Sequence, residues 1–236
     1  MHPLLPALQK GLAGLGLVLA EDQQAQLLAY MDLIGKWTKV YNLTAVRDAN
    51  EMLTHHLLDS LAVVAPLRRE LAKLCLPGAG LDEGSPAVSE QDVANKTQAK
   101  HSLLDVGAGA GLPGIVIAIT CPDVSVTCVD TVAKKAAFIQ QVAATLRLPN
   151  LKGLHARVES LNQPYDVVCS RAFASLIDFT TWSKSALAGH GVWMAMKGKH
   201  PDQELAVLPE SVKVFHVEQL EVPGLDAERC IIWMRG

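Results

Sequence analysis

Apolar residues recur at helical spacing through the first third of the chain and switch to strand-like runs beyond it. Over residues 23 to 40, Leu27, Tyr30, Met31, Ile34 and Trp37 share one helical face; over residues 49 to 65, Met52, Leu53, His56, Leu57, Ser60, Leu61 and Val64 do the same. Asp48 and Glu51 have the spacing of a capping box, and Pro66 marks the expected end of the second of these helices. With a further helix over residues 4 to 19, residues 1–75 read as an N-terminal helical region. From residue 102 the apolar runs 102–106, 124–129, 151–155, 166–170 and 191–196 alternate with helical stretches near 113–120, 132–147 and 175–187. Such alternation predicts a parallel sheet with crossover helices. Ser211 to Leu220 and Glu228 to Met234 lie too close together for a crossover helix, so they are expected to form an antiparallel hairpin at the sheet edge. Between the two regions, Pro77 to Lys100 carries Gly, Pro, Ser, Asn, Gln and acids with few large apolar residues, and reads as a flexible, exposed insertion over residues 76–100.

Length and composition narrow the class. At 236 residues, half of them hydrophobic, the chain is long enough for one substantial α/β domain, taken here as residues 101–236, plus a small addition. The longest apolar-looking run, Gly11 to Ala20, is too short to span a bilayer, so no membrane association is expected. Five scattered cysteines with no C-x-x-C spacing suit reduced thiols in a cytoplasm and give no metal site. The net charge of −3 is unevenly spread: residues 131–200 hold nine Lys and Arg against Glu159, Asp166 and Asp178. A basic region of this kind supplies a phosphate-binding face even on an acidic protein, and equally describes a solvated lysine-rich surface.

The candidate chemistry starts at Leu104-Asp-Val-Gly-Ala-Gly-Ala-Gly-Leu-Pro-Gly-Ile115, where a strand runs into a glycine turn that opens onto a helix. Gly107, Gly109 and Gly111 allow a ligand to approach the backbone closely, and Pro113 suits a first helical turn. Gly109, Gly111 and Gly114 also satisfy the G-x-G-x-x-G fingerprint of dinucleotide-binding folds. Asp105 at the end of the first strand, together with the closing hairpin, instead resembles the doubly wound sheet of S-adenosylmethionine-dependent methyltransferases. The fold class is therefore expected to be α/β, a Rossmann-like class I methyltransferase sheet with a C-terminal hairpin and helices before it. Asp130, at the end of the second strand, lies across from the glycine loop, where a carboxylate accepts bonds from ribose hydroxyls or caps the next helix. Val158 and Glu159 follow the third strand, where they could meet an adenine edge or form a plain loop. Arg171 after the fourth strand and Lys197 after the fifth reach the same edge, so two cations would flank one cleft.

Other chemistries fit poorly. Enzymes that methylate exocyclic amino groups carry an Asn/Asp-Pro-Pro-aromatic motif after the fourth strand, whereas Gln163-Pro164-Tyr165 precedes it. Cytosine-C5 chemistry needs a cysteine by the cofactor; Cys121 falls at the opposite edge, and Cys169 lies in a strand as a core residue. Adjacent His55 and His56 point about 100° apart and make poor joint metal ligands. His56 reads as a buried, hydrogen-bonded histidine, and His55 as a solvated one between Glu51 and Asp59.

Several segments taken together resemble the bacterial 16S ribosomal RNA guanine-N7 methyltransferases, also called glucose-inhibited division protein B. They are Tyr41-Asn-Leu-Thr-Ala-Val-Arg47-Asp48, His56-Leu-Leu-Asp59-Ser60, Asp105 to Gly114, Ser170-Arg-Ala-Phe-Ala-Ser175, Lys197-Gly198 and Glu228-Arg229, in order along nearly the whole chain. The resemblance implies S-adenosylmethionine as cofactor, held at Gly107, Leu112, Val158, Glu159 and Arg171, with Asp130 a candidate for the ribose. It implies methylation of a guanine of 16S rRNA, free or in the 30S subunit, by a cytoplasmic protein acting as a monomer, with Arg171 and Lys197 placing the reactants. The residues by themselves leave open a methyltransferase for another RNA position or a small molecule. The chain departs from the family pattern in its 77–100 insertion and at His55, where a firmly cationic residue often stands.

Overall fold

The computed structural model describes residues 2–74, 100–171, 173 and 175–236, so nearly all of the 76–100 insertion lies outside the described residues. Helices α1 (Leu5–Gly14) and α2 (Glu21–Tyr41) come first. α1 stops well before residue 19 because Gly16 takes φ 64°, while the Leu17 N–H bonds the Leu12 carbonyl and the Gly16 N–H bonds the Ala13 carbonyl. These two bonds satisfy end carbonyls in a Schellman arrangement, a stop that apolar periodicity does not reveal. α2 ends where Asn42 turns left-handed at φ 51°, and Arg47 holds that end by donating to the Thr38 carbonyl and the Asn42 Oδ1.

The expected single helix over residues 49–65 is broken up. α3 (Ala49–Met52) starts from Asp48, whose side chain accepts from the Asn50 and Glu51 N–H groups, and passes into a π-helical turn, Leu53–Leu58, then α4 (Asp59–Leu61). A separate helix, α5 (Val64–Leu74), follows. Pro66 lies in the first turn of α5, where a missing N–H costs nothing, so it begins a helix where the sequence suggested an end.

The sheet contains β1 (His101–Val106), β2 (Val124–Asp130), β3 (Leu151–His155), β4 (Tyr165–Ser170), β5 (Leu187–Lys197), β6 (Lys213–Leu220) and β7 (Arg229–Arg235) in spatial order β3-β2-β1-β4-β5-β7-β6. β1 to β5 pair in parallel, and β7 runs antiparallel to both β5 and β6. The crossovers carry α6 (Gly114–Thr120), α7 (Ala133–Thr145) and α8 (Leu176–Ser183). A short helix, α9 (Asp202–Ala206), stands where the sequence pattern suggests none.

Strand periodicity explains the layers. Val192, Met194 and Met196 of β5 and Ile231 and Trp233 of β7 face one side; Trp193, Ala195, Cys230, Ile232 and Met234 face the other. On the first side the N-terminal helices lie directly against the sheet, so Leu8, Leu27, Tyr30 and Leu61 belong to one buried cluster with Leu103, Ile115 and Val126. Cys121, Cys128, Cys169 and Cys230 are free and buried. Among the described residues, no helix is long and apolar enough to cross a membrane.

Candidate functional site

The carboxyl ends of β1 to β5 form one edge, and two cavities open along it. The first, of about 570 Å³, sits over β1, β2 and β3 and is lined by Gly107, Asp130, Val132, Val158, Glu159, Phe173 and Trp182 among others. Its floor is the glycine loop. The N–H groups of Gly107 and Ala108 both bond the Val129 carbonyl, Gly109 N–H donates to Asp130 Oδ2 at 3.0 Å, and the Tyr30 hydroxyl donates to the Ala110 carbonyl at 2.7 Å. Gly107, Gly109 and Gly111 have φ of 68°, 61° and 87°, a region side chains with a Cβ rarely adopt. A Cβ on Gly107 would enter open space, so the loop leaves room for a ligand against bare backbone.

Asp130 is both structural and available. Oδ2 ties the loop, Oδ1 accepts from the Val132 N–H at 2.8 Å ahead of α7, and Lys135 stands 3.7 Å away. Each carboxylate oxygen has a second lone pair, so the group still accepts a hydroxyl from the cavity. Asp105 does something else. It is fully buried beneath the loop, where Oδ2 accepts from the Gly114 N–H at 2.9 Å and Oδ1 has no partner among the described residues. Burial pushes its carboxyl up to about 7, against the opposing pull of the Gly114 bond and of the Arg171 charge.

The far wall is aromatic. Phe173 packs on Phe179 and Trp182 with ring centres 5.6 and 5.4 Å apart, and Trp182, 44% exposed, faces the cavity. An apolar slot with a carboxylate at one end suits a nucleoside-like group. Phe173 belongs to the Ser170–Ser175 motif after β4, whereas nothing in the sequence marks Trp182, which only the placement of α8 brings here.

The second cavity, of about 320 Å³, lies over β4, β5 and β7 and is charged. Arg171 and Lys197, singled out by sequence, do meet here, joined by His55, His56, Asp59 and Arg229. Asp59 is 3% exposed and bridges two arginines: Arg171 Nη1 donates to Oδ2 at 3.3 Å and Arg229 Nε donates to Oδ1 at 2.8 Å. Lys197 donates to both carboxylate oxygens of Glu204 on α9, at 2.8 and 2.9 Å. Glu204 also accepts from the Leu176 N–H at the start of α8. His56 shares a 2.6 Å bond with Thr44, and burial, then the Arg171 charge, lowers its pKa, which favours the neutral ring. His55 is exposed and bonds the Glu51 carbonyl; its expected neighbour Asp59 is turned inward to the arginines.

Of the residues the sequence nominated, Gly107, Asp130, Val158 and Glu159 line the first cavity and Arg171 and Lys197 the second. Leu112 lines neither and is buried at 4% exposure after the glycine loop. Asp59 and Arg229 were visible only as parts of motifs, and nothing local in the sequence pairs positions 170 residues apart. Among the described residues, no group of three or more His, Cys, Asp or Glu is placed to hold a metal ion.

Comparison with known proteins agrees with this geometry. A ribosomal RNA small subunit methyltransferase G from Polaromonas sp. (strain JS666) is 65% identical over 97% of this chain and 92% of its own length. One from Albidiferax ferrireducens is 63% identical over 100% of this chain and 98% of its own. The crystal structure of TrmN from Thermus thermophilus shares the fold, with a TM-score of 0.50 and 15% identity over 78% of this chain; the match spans 53% of the TrmN chain, about half its length. The model of the GidB family, described as rRNA small subunit methyltransferase G, matches residues 23–91 and 85–232, and the chain belongs to that family.

Proposed function

We propose that this protein transfers a methyl group from S-adenosylmethionine to N7 of a specific guanine of 16S ribosomal RNA, working as a cytoplasmic monomer on the free RNA or the 30S subunit. The observation that carries the reading is the pair of unlike cavities on one sheet edge, one apolar with a carboxylate and bare glycine backbone, the other cationic. The residues present fit the cofactor. Asp130 accepts the ribose hydroxyls, Val158, Phe173 and Trp182 wall the base, Glu159 meets its polar edge, and Gly107 leaves the backbone open to close approach.

When bound, the cofactor supplies a methyl group on a positively charged sulfur. Guanine N7 carries an in-plane lone pair and no proton, so the protein needs no general base. That matches the second cavity, where both oxygens of Asp59 are engaged by guanidinium groups and those of Glu204 by Lys197. The chain's task is alignment, and fixing two reactants in line is worth up to several kcal/mol of barrier. Arg171, in the second cavity and two residues before Phe173 in the wall of the first, orients the reacting groups; Lys197, fixed by Glu204, places the acceptor, and the excess positive charge comes from Arg171 and Arg229 around Asp59.

The test is incubation with methyl-labelled S-adenosylmethionine and 16S rRNA, 30S subunits or intact ribosomes, followed by chain scission specific for 7-methylguanine. We expect label at one guanine of the small-subunit RNA. Label at another base type, or in no RNA, would overturn the assignment.

A further inference from the structure

The second cavity differs from the first in a way that points to its ligand. Among the described residues that line it, Met196 is the one apolar side chain, and His55, His56, Asp59, Arg171, Lys197 and Arg229 are polar or charged. Its centre is a buried carboxylate between two guanidinium groups that come from different parts of the chain, Arg171 after β4 and Arg229 at the start of β7. Asp59, which holds them, directly follows the π-helical turn of Leu53–Leu58. A carboxylate 3% exposed is costly to bury without cationic partners, and here it has two. One charge cannot neutralise both arginines. With Lys197 offset by Glu204, the lining keeps one unit of positive charge.

The arginines are also fixed in place. Arg171 Nη1 donates to the His55 carbonyl as well as to Asp59, and Arg229 Nη1 donates to the Glu228 carbonyl. Nη2 of each meets no acceptor among the described residues, and both side chains remain 24% exposed. Two immobilised guanidinium groups with spare donors, in a polar cavity, suit a tetrahedral oxyanion.

We propose that this cavity seats a phosphodiester of the RNA substrate, and that Asp59 is the positioning residue that aims Arg171 and Arg229 at it. The inference rests on the RNA reading above and adds where the backbone is gripped and by which residue the grip is shaped.

Charge alone and positioning make opposite forecasts for one substitution. Asp59→Asn removes a negative charge from the cavity, so general electrostatics would tighten RNA binding; loss of the bridge would loosen it. Filter-binding titrations of the full-length protein with radiolabelled 30S subunits, at about 50 to 200 mM KCl, read this directly. We expect Asp59→Asn to weaken binding about tenfold while calorimetric affinity for S-adenosylhomocysteine changes less than about twofold. Arg229→Gln should weaken binding similarly and make the slope of log K against log salt shallower by about 0.7 to 0.9, the share of one phosphate, whereas Arg229→Lys should keep the slope. Arg229→Gln keeps the test decisive should Asp59→Asn not fold.

Unchanged or tighter binding by Asp59→Asn, or an unchanged slope in Arg229→Gln, would overturn the seat. A parallel loss of S-adenosylhomocysteine affinity in both variants would overturn it too, assigning the clamp to the donor's carboxylate. Failure of the wild-type protein to bind 30S subunits while still binding S-adenosylhomocysteine would defeat the RNA reading itself.

Discussion

The two cavities on the sheet edge are built by opposite means. The first rests on backbone: the glycine loop, with Gly107 bare toward the cavity and its amides tied to Val129 and Asp130, walled by the turns after β2 and β3 and closed on the far side by Phe173 and Trp182. The second is made of charges from residues 55–59, 171, 197 and 229, which meet only because the helices pack against the sheet and β7 inserts beside β5. One half is therefore sensitive to an added carbon atom, and the other to a lost ion pair. A shape that accepts a flat nucleoside can be specified by short-range sequence, whereas a net positive grip with fixed geometry needs partners from across the chain.

The largest expected effect is in the charged half, at Arg171. Arg171→Ala should reduce single-turnover methylation of 30S subunits by about 10²–10³-fold, the usual consequence of losing one preorganised donor, while circular dichroism shows an intact fold. An unchanged rate would remove Arg171 from the mechanism.

Gly107→Val tests the backbone-built half by filling the space left for the ligand. Calorimetry should show affinity for S-adenosylhomocysteine down by roughly a hundredfold, with a folding cost of about 1–2 kcal/mol from forcing a side chain into positive φ. If that affinity survives, the 570 Å³ cavity is not the cofactor site.

A pH effect should mark the same half. The Asp105 carboxyl is pushed up to about 7 from 3.8, so the folded state binds its proton more tightly than the unfolded chain. Its favourable contribution is complete below 3.8 and is lost as pH rises through about 7. Urea unfolding of Asp105→Asn, neutral throughout, should therefore lose less stability between pH 5 and 8 than the wild type, by roughly 2–3 kcal/mol. Identical pH profiles would mean that the buried carboxyl titrates normally.

The smallest effect is expected at the aromatic wall. Binding of S-adenosylhomocysteine should quench Trp182 fluorescence, and Trp182→Ala should weaken that binding by about three- to tenfold, the worth of one ring contact. No change in either would place the adenine elsewhere.

Legibility in the sequence follows the same division. Strand order of appearance, the closing hairpin, the glycine loop and Asp130 are local patterns, and the structure carries them nearly residue for residue. Helix ends are less legible. α1 stops at a Schellman turn around Gly16, and Pro66 opens α5, because capping geometry and the break after Leu61 override the apolar period. Trp182 joins the site through the angle of α8, and Glu204 through α9, which has no buried face to announce itself.

By itself, the sequence determined the alternation of strands and helices, the turn that must be glycine, and the residues that end each strand at the binding edge. These follow from side-chain period and from dihedrals closed to a Cβ, both set within a few residues. Only the tertiary structure decided that Asp59 lies between Arg171 and Arg229, that Lys197 is matched by Glu204, and that Asp105 is sealed under the loop. Those outcomes depend on which charges are brought together and stripped of water. Burial and Coulomb attraction act through space between segments the sequence keeps far apart.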